Sequence, residues 1–97
     1  MEIITELTPV FLHTLPDNDS MVLGKIYISR EFKLAKLLCP DGCGCVSVIP
    51  FDYEVFPHNH WKMTEKDGKV TFQPSVLARN CPNKSHYFIT DNKIQWV

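Results

Sequence analysis

The last twelve residues, HYFITDNKIQWV (residues 86–97), favour a β-hairpin and decide the fold class of the chain. Aromatic and β-branched side chains, which are enriched in strands, flank the turn dipeptide Asp91-Asn92. A two-residue loop gives this hairpin one wholly apolar face, made of Tyr87, Ile89, Ile94 and Trp96. Side chains alternate along a strand, so we expect His86 on the opposite face, away from the core.

The same strand pattern recurs upstream. Residues 61–65 and 70–72 flank Asp67-Gly68, a strong tight-turn dipeptide, and predict a second hairpin. Residues 22–29 and 45–51 predict two further strands. Residues 30–38 have mixed periodicity, and we expect a short helical turn there that leads into extended chain. The fold class predicted is therefore mostly β, with antiparallel strands and hairpins and at most one short helix.

Length and charge limit the organisation of the chain. Ninety-seven residues predict one domain, with residues 1–24 as an N-terminal arm or strand before a β domain over residues 25–97, which contains all four cysteines. A net charge of −1 without a basic stripe argues against a nucleic-acid binder. No stretch approaches the roughly 20 apolar residues of a membrane span, and no signal-peptide pattern is present. We therefore expect a cytoplasmic protein.

Two cysteine clusters, CPDGCGC (residues 39–45) and CPNKSHY (residues 81–87), predict a metal site. Zinc takes four nitrogen or sulfur ligands in a tetrahedron, often from two short loops. The ligands predicted are Cys39, Cys43, Cys81 and His86, with Cys45 as the alternative thiol. The metal predicted is Zn²⁺, although the pattern does not separate zinc from iron.

Other interpretations of these residues stay open. Four cysteines allow three disulfide connectivities, but clustered cysteines in a reducing cytosol are more often metal ligands. Unligated buried thiols fit less well, because proline and glycine beside the cysteines mark sharply turning loops. His58 and His60 lack cysteine neighbours and are interpreted as loop residues.

The order of several short motifs resembles a small bacterial zinc-binding domain family of unknown function. The motifs are IYIS at residues 26–29, CPDGCG at 39–44, WKMT at 61–64, VTFQPSV at 70–76, Cys81, SHYFI at 85–89 and IQW at 94–96. The family has a cysteine–glycine knuckle and a Ser-His-Tyr signature, and its genes often lie near those of ubiquitin-like conjugation systems. The resemblance implies a β-rich zinc-binding fold and a partner within such a system. The chain departs from the family pattern at Leu37 and Asp41, and Cys45 is an addition.

Three functions are consistent with this pattern. A closed four-ligand zinc site orders loops and favours a non-catalytic module that binds a protein partner, with no catalytic residues. A zinc-dependent hydrolase would need an open metal position and a base, for which Glu54 and Glu65 are the only candidates. A cysteine-based transfer protein would use Cys45 as its thiol. We expect the binding module, acting as an accessory component of a ubiquitin-like conjugation system, and nothing in the sequence predicts the oligomeric state.

Overall fold

The computed structural model describes residues 4–51 and 61–97, which form two four-stranded sheets. The strands are β1 (Thr8–Phe11), β2 (Lys25–Ser29), β3 (Leu34–Leu38), β4 (Val46–Pro50), β5 (Lys62–Lys66), β6 (Lys69–Leu77), β7 (His86–Thr90) and β8 (Lys93–Trp96). Within the described ranges the only helix is a single 3₁₀ turn at Asn18–Ser20. None of these elements is a helix long and apolar enough to cross a membrane.

The first sheet has the strand order β1-β2-β3-β4. Strand β1 runs parallel to β2, whereas β2, β3 and β4 are successively antiparallel. The pairing of β1 with β2 makes residues 8–11 of the predicted N-terminal arm an edge strand of this sheet. The second sheet has the order β5-β6-β7-β8 and is antiparallel throughout.

Both predicted hairpins are confirmed with their registers. In the first, Met63 lies opposite Phe72. In the second, Ile89 lies opposite Ile94, and Asp91 and Asn92 both have positive φ, as a two-residue turn matching the strand twist requires. The Asn92 side chain also accepts a 2.7 Å hydrogen bond from the buried N–H of Val70, which ties this turn to β6.

The core lies between the two sheets, because each sheet turns its apolar face toward the other. Its buried side chains are Leu7, Ile26, Ile28, Ala35, Leu37 and Ile49 from the first half and Val70, Phe72, Val76, Tyr87, Ile89 and Ile94 from the second. The segment before β1 closes one edge, where Leu7 N–H donates to Asn92 O and Ile94 N–H donates to Thr5 O.

The mostly β fold class is confirmed. Residues 30–33 form a turn, and the chain is extended from Leu34, so the ambiguous segment forms strand β3. The predicted loop at residues 52–59, with Glu54, His58 and the neighbouring His60, lies outside the described residues. A bulge between Phe72 and Val76 shifts the register of β6 against β7 and sets the position of Ser75.

Candidate metal centre and serine–histidine pair

Three cysteines and one aspartate from the two clusters meet in a buried group. Ligand atoms of Cys39, Asp41, Cys43 and Cys81 all lie within 4.8 Å of one another. Cys39, Asp41 and Cys81 are buried, and all four cysteines of the chain are free thiols. The β3–β4 turn and the β6–β7 loop therefore meet at one site, as the paired-cluster pattern predicts.

Backbone geometry explains why these thiols converge. Cys39 N–H donates to Cys45 O, which closes the β3–β4 turn into a tight loop. Gly44 has a φ of +87°, where side chains with a Cβ are strained, although a Cβ there would meet no atom within 4 Å. The glycine is thus needed for its backbone conformation and not for close approach. In the other loop, Cys81 N–H donates to Ala78 O.

Asp41 is the best-satisfied polar group of the site. Its Oδ2 accepts hydrogen bonds from Ser85 Oγ at 2.6 Å and Asn83 Nδ2 at 2.9 Å, and its Oδ1 accepts one from Cys43 N–H at 2.8 Å. Burial alone would raise the pKa of this carboxyl, but the donated hydrogen bonds, led by that of Ser85, hold the pKa well below its usual range. Asp41 is therefore an ionised acceptor that joins the two loops.

Hydrogen bonds link the three thiols through Cys81. Burial raises the pKa of Cys39 to about 11 and, with the hydrogen bond to Cys81, raises the pKa of Cys43 far above its ordinary value. Burial opposes ionisation of Cys81 as well, yet the hydrogen bond with Cys43 lowers the pKa of Cys81. Cys43 Sγ lies 3.0 Å from Cys81 Sγ, and Cys81 Sγ lies 3.0 Å from Asp41 Oδ2, so a cation bound here would displace the protons of these contacts.

The donor set fits a soft divalent cation. With a zinc–sulfur bond of about 2.3 Å, two tetrahedral thiolate ligands stand about 3.8 Å apart. Cys39 Sγ and Cys81 Sγ are 3.9 Å apart, at that spacing, whereas Cys43 Sγ and Cys81 Sγ, at 3.0 Å, would have to separate by about 0.8 Å to bind the same ion. Three sulfurs and one carboxylate are suited to zinc and poorly suited to calcium or magnesium, which prefer oxygen. The cluster can therefore hold a metal ion of the zinc class.

The structure puts the other two predicted ligands in different places. Cys45 is half-buried beside the cluster and its thiol donates to Asn80 O at 3.3 Å. His86 is outside the group of four: its Nε2 lies 2.7 Å from Ser75 Oγ. Asp41 occupies the position in the cluster that the sequence interpretation assigned to a histidine.

Ser75 and His86 form a pair on the outer face of the second sheet. His86 is the cross-strand partner of Leu77, and Ser75 is two residues before Leu77, so all three side chains share one face. In the tautomer with its proton on Nδ1, the His86 ring accepts a hydrogen bond from the Ser75 hydroxyl at Nε2. This is the arrangement by which a histidine activates a serine nucleophile.

Neighbouring residues hold this pair in position. Trp61 Nε1 donates to Ser75 O at 3.2 Å, which fixes the bulged segment of β6. His86 begins β7 directly after Ser85, whose hydroxyl is bonded to Asp41. The candidate metal centre therefore anchors the residue next to the candidate base.

Sequence interpretation missed Ser75, which was noted only within a motif. The available signal was that the Ser75 and His86 positions both alternate away from apolar core neighbours, Val76 and Tyr87. Their contact depends on the register of β6 against β7, which lies beyond local sequence pattern.

One family model matches residues 11–97, nearly the whole chain, and its description is bacterial ubiquitination-like system serine protease (BubE). No curated protein and no solved structure matches the chain.

Proposed function

Because the chain belongs to the family of bacterial ubiquitination-like system serine proteases, we propose that it is a serine protease with Ser75 as nucleophile and His86 as general base. The single observation that carries the proposal is the 2.7 Å contact between Ser75 Oγ and His86 Nε2. The function departs from the non-catalytic module that the cysteine pattern favoured.

In the proposed reaction, His86 Nε2 takes the proton of Ser75 as its Oγ attacks an amide carbonyl. The amide nitrogen then leaves with that proton, and water, activated by the same histidine, hydrolyses the acyl-serine ester. Among the described residues, no side chain hydrogen-bonds His86 Nδ1, so the described chemistry is that of a dyad. The substrate class we propose is a protein of the ubiquitination-like system, either the modifier or its conjugates.

Zinc has a structural role in this proposal. Cys39, Cys43, Cys81 and Asp41 would hold it, with Cys45 as the alternative thiol, while His86 serves as the base and is not a ligand in this proposal. When bound, the metal supplies cross-linking of the two loops and no step of the hydrolysis. This role fits a reducing cytoplasm, where the four thiols stay free for a metal.

A serine-directed fluorophosphonate tests the nucleophile directly. We expect one adduct, located on Ser75 by tryptic mass spectrometry, with fluoride displaced by Oγ. His86→Gln should slow labelling by about 10²–10⁴-fold, the usual contribution of a general base. Cys45→Ser is the matched control and should label at the wild-type rate. Labelling elsewhere, or none on a folded protein, would refute the assignment.

Turnover tests the activity itself. The modifier of the system, extended at its C-terminus by a short peptide, is incubated with wild type, Ser75→Ala and Cys45→Ser. We expect cleavage by wild type and Cys45→Ser and none by Ser75→Ala. A covalent thioester on Cys45, with cleavage unaffected by Ser75→Ala, would support the cysteine-based transfer function in place of the protease.

A further inference from the structure

A groove runs between strands β4 and β6, beside the serine–histidine pair. Its volume is about 470 Å³, within the range of about 300–1,000 Å³ typical of ligand sites. Its lining is formed by residues 46–48 on one side, residues 76–80 on the other, and Trp61. These walls are the edge of the first sheet and the part of β6 that continues past its last β5 partner, Gln73.

The β4 wall offers main-chain hydrogen-bonding groups. Directly opposite residues of an antiparallel pair alternate between hydrogen-bonded and non-hydrogen-bonded pairs. Cys39 and Cys45 are a hydrogen-bonded pair next to β3 and β4. Counting along the strands from there, Val48 and Lys36 are a non-hydrogen-bonded pair. The N–H and C=O of Val48 therefore point away from β3 and toward the groove. Val48 is 52% exposed.

The β6 wall offers a matching donor. Ala78 N–H donates to Ser85 O, so its neighbour Leu77 is in a non-hydrogen-bonded pair with His86. The Leu77 N–H consequently points away from β7, while its C=O accepts from Arg79 N–H. Unpaired main-chain groups on a strand edge are the partners that an added strand uses.

Both ends of the groove are bridged. At one end Asn80 Nδ2 donates to Val46 O at 3.2 Å. At the other end Trp61 N–H donates to Pro50 O, and the Trp61 indole donates to Ser75 O. The free Val48 groups lie between these bridges, so the groove is short, and Val76, which lines it, directly follows Ser75 in the chain.

One cation lines this groove. Arg79 makes no ion pair with any carboxylate in the described ranges, where the ion pairs are His13–Glu31 and Arg30–Glu65. Arg79 lies two residues past the end of β6, beyond a turn in which its N–H donates to Leu77 O, and four residues of chain place it at most about 13 Å from Ser75. An extended ligand bound beside β6 would thus bring a residue no more than about four positions from the reacting bond next to this guanidinium.

We propose that this groove binds an extended segment of the substrate as an added strand, with an acidic side chain within about five residues of the cleaved bond held by Arg79. The proposal rests on the proposed protease function. Val48 supplies the main-chain donor and acceptor, Leu77 N–H supplies a second donor, and Arg79 supplies specificity through charge. Extended peptides bound in this way gain affinity from the main chain and specificity from side-chain contacts.

A single proline substitution in β4, Val48→Pro, tests whether the substrate binds as an added strand. Val48→Pro deletes only an N–H that faces the groove, since β3 does not use it, and proline is accepted at an edge strand. Val48→Ala, which keeps the N–H, is the matched control. We expect Val48→Pro to raise KM about tenfold with kcat little changed, and Val48→Ala to stay within about twofold of wild type.

Charge reversal tests the acidic preference. The wild-type protein is given a library of synthetic peptides of randomised sequence, which contains internal acidic and basic residues alike, and the cleavage sites are read by mass spectrometry. We expect Asp and Glu to be enriched within about five positions of the cut on one side. Arg79→Glu should reverse that preference to Lys and Arg at the same position. This comparison does not depend on Val48→Pro and remains informative if that variant fails to fold.

A binding measurement separates the groove from the activity. Nitrogen-15-labelled Ser75→Ala protein is titrated with a ten-residue peptide of Ala, Ser and Gly carrying one central Glu, and with the same peptide carrying Lys. If the Glu peptide shifts the Val48 and Leu77 amide resonances, peptide binding in the groove is supported. If the wild-type protein then shows no turnover, the protease function is refuted while peptide binding stands. The opposite outcome is turnover without acidic enrichment, the same KM for Val48→Pro and Val48→Ala, and no shift of these resonances. That outcome would refute substrate binding in the groove and leave the protease function supported.

Discussion

Ser85→Ala is the sharpest test of how the candidate metal centre is held together. The substitution deletes the hydroxyl that donates to Asp41 Oδ2 at 2.6 Å. Both residues are buried, at 8% and 6% exposure, so water does not replace the lost donor. The Asp41 carboxylate then keeps its charge with one fewer hydrogen bond.

The magnitude follows from the nature of that bond. A hydrogen bond to a charged group contributes about 1.5–3 kcal/mol to stability. Taking about 2 kcal/mol, the melting temperature of a domain of this size falls by about 8–16 °C. Because Asp41 is also a candidate metal ligand, loss of its supporting donor should weaken metal affinity by about 10–100-fold.

Urea unfolding of zinc-loaded protein measures the first effect, and chelator competition measures the second. Ser75→Ala is the matched control, because it deletes a hydroxyl with a similarly short contact, 2.7 Å, to the half-buried ring of His86 rather than to a buried carboxylate. We expect a stability loss of about 1 kcal/mol or less there, with metal affinity unchanged. Equal unfolding free energies for Ser85→Ala and wild type would refute the reasoning that Asp41 depends on Ser85.

Two further predictions concern the loops and the terminal hairpin. Cys81→Ser should lose bound zinc, measured by elemental analysis, and should unfold at a lower temperature than wild type. Cys45→Ser should keep about one equivalent of zinc. Zinc retained by Cys81→Ser and lost by Cys45→Ser would reverse the ligand assignment. Asn92→Gly should cost about 1–3 kcal/mol, because the buried N–H of Val70 loses its acceptor. Asp91→Gly, at the adjacent positive-φ position with an exposed side chain, should be within about 0.5 kcal/mol of wild type in urea unfolding, and equal losses would exclude that role for Asn92.

Much of the fold was predictable because its signals are local. A two-residue turn sets the register of its own hairpin, so the pairs of Met63 with Phe72 and Ile89 with Ile94 follow from the sequence. The meeting of the two cysteine clusters was also predictable, since a metal centre draws its ligands from short turning loops. These inferences need only spacing and residue type.

Tertiary structure decided which side chain each functional residue meets. Sequence spacing made His86 a candidate ligand, but the β6–β7 register and the bulge before Val76 bring its ring to Ser75. Asp41 lies beside the thiols because a tight turn with left-handed glycines folds its carboxylate back under the β6–β7 loop. Both outcomes depend on pairing between distant segments, where a shift of one residue moves a side chain to the other face of the sheet, and that choice is made by packing of the whole core.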